Sequence, residues 1–176
     1  MRAEVKVGRN LFDAKSTSQS ITKPHMSYTR NEDVYHIVYD FPSGVTSTES
    51  CILGYTIATV AGKQYTVSTN ILSGSYTGVG IRLYVFKDNT YLGMTRFGGS
   101  KYTFTAEEGS SYIISTIYYN YGDGAMSGDF YANIMVNEGS TALPYEPYGK
   151  YLVPKFEGRV EKFNQIAPNP NFVDKS

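Results

Sequence analysis

Apolar and polar residues alternate along most of this chain with a period of two, which is the spacing of side chains on a β-strand. Turn-forming Gly, Asn, Asp and Ser residues interrupt the alternation at short intervals. No stretch from residue 33 to residue 149 has the pattern of an amphipathic helix. The predicted strands are 33–41, 51–60, 64–71, 79–88, 91–97, 101–106, 111–121 and 130–137. This succession predicts an all-β fold, an antiparallel two-sheet β-sandwich of the jelly-roll type, with a closed barrel as the main alternative.

The same alternation predicts which side chains form the core. Ile81, Leu83 and Val85 share one side of their strand. In the other strands the predicted core residues are Tyr65, Val67, Ile71, Ile113, Ile117, Tyr119, Ala132, Ile134 and Val136. The opposite sides carry tyrosine, arginine and small polar residues. We therefore predict an outer face, rich in tyrosine, that water can reach.

The composition excludes several classes of function. The 176 residues include 16 Lys and Arg against 16 Asp and Glu, so the chain lacks the basic surface that nucleic acids bind. No segment is apolar for long enough to insert into a membrane. The single cysteine, Cys51, rules out an internal disulfide and is predicted to be buried. The 17 tyrosines favour half-buried strands and binding surfaces.

The two ends of the chain fall outside the strand pattern. We predict that residues 1–9 are a linker or an added strand and that residues 10–150 form the module. Residues 151–176 are predicted to be a C-terminal linker, one that could lead into a further module. Within it, the spacing of charged and apolar residues in 155–165 fits either a short helix or an extended segment. The first residues lack the apolar run of a secretory signal.

No set of residues in the sequence suggests catalysis, so the chain is predicted not to be an enzyme. The histidines, His25 and His36, fall in a predicted loop and a predicted strand, without a nucleophile or a third residue to orient them. Metal ligands at His/Cys spacing are absent from the sequence. The acidic loop 123–129 could hold calcium through oxygen ligands but lacks the EF-hand register, so we predict a flexible turn, no metal site and no cofactor.

Residues 133–149, NIMVNEGSTALPYEPYG, form the most distinctive segment. They resemble the closing motif of carbohydrate-binding-type jelly-roll modules in phage tail, baseplate and tail-fibre proteins. GRNLFD at 8–13, GKQYTVS at 62–68 and YTFTA at 102–106 resemble other parts of such modules, so the resemblance covers roughly residues 8–150. Gly139 lets the chain leave the sheet, and Pro144 and Pro147 keep the exit extended. Tyr145 and Tyr148 are predicted to clasp the edge of the sandwich.

The resemblance implies a receptor-binding protein of the virion, made in the host cytoplasm. Its implied partners are host cell-wall or surface polysaccharide and other phage tail proteins, and a homotrimer is one assembly it allows. Sugar sites combine aromatic rings with a few aimed hydrogen bonds. The predicted carbohydrate-binding residues are therefore Tyr84 and Tyr118 as platforms, with Arg82, Asp88, Asn70, Asn120 and Asn133 as polar partners. Tyrosines that merely cover a sheet, or that meet another subunit in a structural spacer or oligomerisation domain, are the alternatives.

Overall fold

A computed structural model describes the backbone of residues 2–155 and the side chains of residues 8–150. The regular secondary structure of this part of the chain is nearly all strand, with two short 3-10 turns at Ala14–Ser16 and Tyr121–Asp123. The strands are β1 (Arg2–Val7), β2 (Ser20–Thr22), β3 (Met26–Asn31), β4 (Val34–Phe41), β5 (Glu49–Ile57), β6 (Gln64–Tyr76), β7 (Arg82–Lys87), β8 (Thr90–Arg96), β9 (Tyr102–Thr105), β10 (Tyr112–Tyr119), β11 (Met126–Glu138) and β12 (Lys150–Lys155). All-β architecture is thus confirmed.

Two antiparallel sheets pack against each other. The larger sheet has the order β2-β3-β4-β11-β6-β9, and the smaller has the order β5-β10-β7-β8. The chain crosses from one sheet to the other at β4 to β5, at β5 to β6 and at β6 to β7. In the larger sheet β11 lies between β4 and β6, and in the smaller sheet β10 lies between β5 and β7. This order is the jelly-roll arrangement, with β2 and β3 added to one edge of the larger sheet. The predicted sandwich is confirmed.

The core lies between the sheets and is rich in aromatic rings. Ile81, Leu83 and Val85 are buried in it, as the alternation predicts. Phe41 of the larger sheet stacks on Tyr119 of the smaller one, with ring centroids 3.5 Å apart. The Phe104 and Tyr112 rings form a second such stack between the sheets, at 4.5 Å. Ring stacking therefore joins the two sheets in addition to aliphatic packing.

The predicted faces of β10 are wrong in its first half. Tyr112 is buried in the core, whereas Ile113, a predicted core residue, lies on the outer side. The register of β10 shifts between Ile114 and Thr116 against both neighbouring strands, which marks a β-bulge. A bulge inserts one extra residue and reverses the alternation, so Ile117 and Tyr119 face inward as predicted while Ile113 does not.

Three further differences concern element boundaries. Strand β11 begins at Met126 and includes Asp129, so the flexible turn predicted for 123–129 is wrong in its second half. Strand β6 continues to Tyr76, beyond the predicted end at residue 71. Strands β2 and β3 occupy a region with no predicted strand.

The predicted β7–β8 hairpin is confirmed. Its turn residues Asp88 and Asn89 have φ values of 48° and 64°, the left-handed conformation of a tight hairpin turn.

At the ends of the described chain, β1 and β12 pair as an antiparallel ribbon, with Arg2 opposite Lys155. Residues 156–176, most of the predicted C-terminal linker, lie outside the described part of the chain. Over residues 2–155 there is no helix with the length and apolarity that a membrane span requires.

Candidate functional site

The outer face of the smaller sheet places side chains from all four of its strands in three rows. The pairing of β5, β10, β7 and β8 aligns Ser50, Tyr118, Arg82 and Arg96 in the first row. The second row is Ile52, Thr116, Tyr84 and Met94, and the third is Thr56, Ile113, Phe86 and Tyr91. Because their neighbours along each strand point into the core, these side chains point outward.

Aromatic rings from β7, β8 and β10 form one continuous cluster on this surface. Tyr84 and Tyr118 are stacked, with centroids 4.5 Å apart and planes 24° apart. Tyr91 contacts Tyr84 at 4.9 Å and Phe86 at 6.2 Å. We call these four residues the aromatic face. Stacked rings cover one face of each other, so Tyr84 and Tyr118 each keep at most one ring face for a ligand, while Tyr91 is 51% exposed.

Burial sets the ionisation of Tyr84. It raises the pKa of the phenol, and the nearby charge of Arg82 opposes part of that rise. The Tyr84 hydroxyl is therefore neutral at physiological pH. It can both donate and accept a hydrogen bond, as the hydroxyls of a sugar require.

The charged end of the aromatic face is built by β7 and by the 3-10 turn that follows β10. Arg82 Nη2 donates to Asp123 Oδ1 at 2.5 Å, and each of these side chains is only 10% exposed. Asn120 lies on the outer side at the end of β10, two residues beyond Tyr118, and is half-buried. The predicted residues Tyr84, Tyr118, Arg82 and Asn120 are thus brought together.

The other predicted site residues are placed elsewhere, which corrects the expectation of one shared face. Asn70 and Asn133 are cross-strand partners in β6 and β11, so they lie on the outer side of the larger sheet. Asn70 lines a cavity of about 440 Å³ there, together with Met135 and Tyr145. Asn133 is only 3% exposed. The alternation shows which side chains point away from the core, but it does not show which of the two sheets each strand joins.

Asp88, at the far end of β7 from Arg82, stabilises the β7–β8 turn. Its carboxylate accepts a hydrogen bond from the Ser111 backbone N–H at 2.8 Å. This bond, and a second one from the Ser110 hydroxyl, lower the pKa of Asp88. The carboxylate fixes the β7–β8 turn against the start of β10, at the opposite end of the sheet from Arg82.

Tyr91, Arg96 and Asp123 are parts of this surface that the sequence analysis missed. A signal for Tyr91 was present, since it begins a predicted strand directly after the hairpin turn and would pair with Phe86 on the partner strand. Asp123 carried no such signal, because its contact with Arg82 depends on how the turn after β10 folds back over the sheet.

Two tyrosines of the segment 133–149, Tyr145 and Tyr148, differ in burial and in contacts. Tyr145 is half-buried, and its hydroxyl donates to the Asp33 carboxylate. Both that burial and that negative charge raise the pKa of Tyr145. Tyr148 is half exposed. Within the described part of the chain, no group of three or more His, Cys, Asp or Glu is arranged to hold a metal ion.

Comparison of the chain with protein-family models, with curated proteins and with solved structures gives no match.

Proposed function

We propose that this protein is a non-catalytic binding module of a phage tail, baseplate or tail-fibre protein and that it recognises host cell-surface carbohydrate during adsorption. The observation that carries the proposal is the aromatic face, a continuous cluster of partly exposed rings on an outer sheet surface. Sugars pack their apolar C–H faces on such rings, and polar groups around the rings hydrogen-bond the sugar hydroxyls. The phage assignment draws its support from the closing motif at residues 133–149.

The roles within the site follow from exposure. Tyr91 is the most exposed ring of the cluster and is the stacking surface. Tyr84 and Tyr118 support each other by stacking and offer their hydroxyls for hydrogen bonds. Asn120 supplies an amide that can donate and accept.

Glycan-array binding, followed by titration of the best glycan, tests this site. Tyr91→Ala, Tyr84→Ala and Tyr118→Ala should each weaken binding about tenfold, the loss typical of a central aromatic contact. Tyr131→Ala is the matched control, because Tyr131 is an exposed tyrosine on the larger sheet, stacked on His36 at 4.3 Å. Unchanged binding in both Tyr84→Ala and Tyr118→Ala would remove the site.

A structural spacer or oligomerisation domain of the same tail assembly is the second candidate. Ile52 belongs to the second row of the same outer surface and is 65% exposed. An exposed apolar side chain beside aromatic rings suits contact with another subunit. Light scattering on the chain, with and without Ile52→Lys, separates the two functions. An oligomer, for example a trimer, that the substitution dissociates supports the subunit contact, and a wild-type monomer argues against it.

A further inference from the structure

Two arginines oppose each other at one end of the aromatic face. Arg82 in β7 and Arg96 in β8 are cross-strand partners. Their neighbours Leu83 and Thr95 are buried on the inner side, so both arginines belong to the outer side. Like charges directly opposite each other in a sheet destabilise the pair unless an anion lies between them.

Among the described side chains, one of the two arginines has a carboxylate partner. Asp123 forms its ion pair with Arg82. Among the residues whose side chains are described, Arg96 forms no ion pair, and its Nε is buried without a hydrogen-bond partner. A buried donor left unsatisfied costs free energy. In the unliganded protein, therefore, no described side chain neutralises the positive charge of Arg96.

Three other carboxylates of the smaller sheet and its turns are engaged away from the two arginines. Glu107 pairs with Lys87 at the far end of β7. Glu49 pairs with His25 at 2.6 Å. Asp88 holds the hairpin. Of the side chains that the structure describes, Asp123 is thus the carboxylate that pairs at the arginine end of the aromatic face.

We infer that the ligand of the aromatic face is an acidic saccharide, with its carboxylate or phosphate group bound at Arg96; this inference rests on the proposed function. A guanidinium recognises either anion by paired N–H···O bonds. The anion also screens the Arg82–Arg96 repulsion.

The spacing of the two contacts defines the size of the ligand. Tyr91 and Arg96 lie at opposite ends of the outer side of β8, roughly 15 Å apart at the strand rise per residue. One sugar ring does not reach from one to the other. The ligand is therefore an oligosaccharide that runs along β8, past Tyr84, with its acidic group at the Arg96 end.

A glycan array that carries neutral saccharides beside counterparts bearing uronic acid or phosphate tests the inference. The wild type should bind acidic glycans, and Arg96→Gln should weaken that binding at least about tenfold, as expected for a hydrogen bond to a charged group. Arg96→Lys keeps the charge without the planar fork and should recover part of the affinity. Lys101→Gln is the charge-matched control, since Lys101 is exposed beside the larger sheet and lines the cavity that contains Asn70.

The outcomes separate the two levels of the proposal. Equal binding of neutral and acidic glycans, unchanged in Arg96→Gln, overturns the acidic specificity and leaves the saccharide site intact. Binding to no glycan overturns the saccharide function itself and the acidic specificity with it. Preference for uronic acid over phosphate, or the reverse, identifies the anion. Raised salt should weaken wild-type binding more than binding by Arg96→Gln. Circular dichroism of each variant checks that it is folded.

Discussion

Replacing Asn10 by alanine should destabilise the fold far more than an ordinary asparagine substitution. Strand β4 pairs with β11 only as far as Ala132. Beyond that point the Asn10 amide takes the place of a neighbouring strand: Nδ2 donates to the Ile134 carbonyl at 3.0 Å, and Oδ1 accepts from the Val136 N–H at 2.9 Å. Oδ1 also accepts from the Phe12 N–H at 3.0 Å. Asn10 is buried, so alanine would leave three backbone groups without partners.

The size of the effect follows from those three groups. A buried polar group that loses its partner costs about 1–3 kcal/mol, and water entering the vacated space offsets part of that cost. We expect Asn10→Ala to lower the free energy of unfolding by roughly 3–5 kcal/mol. For a chain of this length the corresponding fall in Tm is on the order of 10 °C.

Urea unfolding followed by far-UV circular dichroism measures the effect, since the chain has no tryptophan to report it by fluorescence. Asn70→Ala is the matched control, because Asn70 is exposed, and it should change stability by less than about 0.5 kcal/mol. If the two variants unfold at the same urea concentration, the Asn10 amide does not replace the missing strand pairing.

Three further predictions concern buried ionisable groups. Burial raises the pKa of the Cys51 thiol to about 11, so a disulfide reagent at pH 8 should modify it only after urea is added; rapid modification of the native protein would contradict its burial. Burial raises the pKa of Tyr28 to about 12, above the ordinary value of 10.0, so its stabilising contribution is complete below pH 10 and is lost as the pH rises towards 12. The urea midpoint should therefore fall between pH 10 and pH 12, and a constant midpoint would argue against this burial. Asp123→Asn should cost about 2 kcal/mol by leaving Arg82 unpaired, and Arg82→Met in the same chain should restore part of the loss in urea unfolding.

Much of the fold could be predicted because its signals are local. Ile81, Leu83 and Val85 alternate with polar residues inside one strand, and that alternation alone determines their side of the sheet. The Asp88-Asn89 turn is equally local, since both residue types tolerate positive φ. The bulge in β10 was not predictable in this way, because the extra residue is visible only once its two partner strands are known.

The candidate site could be predicted only in part because its assembly is not local. Tyr118 and Arg82 meet through the pairing of β10 with β7, and both were assigned to an outer side from their own strands. Asn133 has the same outer position in β11, but it belongs to the other sheet and is nearly inaccessible to water. No feature of its own strand distinguishes it from an exposed asparagine.

The two outer surfaces of the sandwich differ in what covers them. On the larger sheet, the segment after β11 folds back: the Asn137 amide binds the Thr141 carbonyl and the Leu143 N–H, and Met135 is buried. Tyr91 and Ile52 remain exposed on the smaller sheet, where Tyr91 belongs to a cluster of four rings. The exposed Tyr131 of the larger sheet stacks on His36 instead. A chain that had only to remove apolar area from water would gain more by covering the aromatic rings than by covering Asn137. We propose that a ligand or a subunit covers the clustered rings on binding; Arg96, beside them, forms no ion pair with any described side chain. A saccharide with an acidic group would pack on the rings and also pair with the charge of Arg96, whereas an apolar subunit contact would only cover the rings.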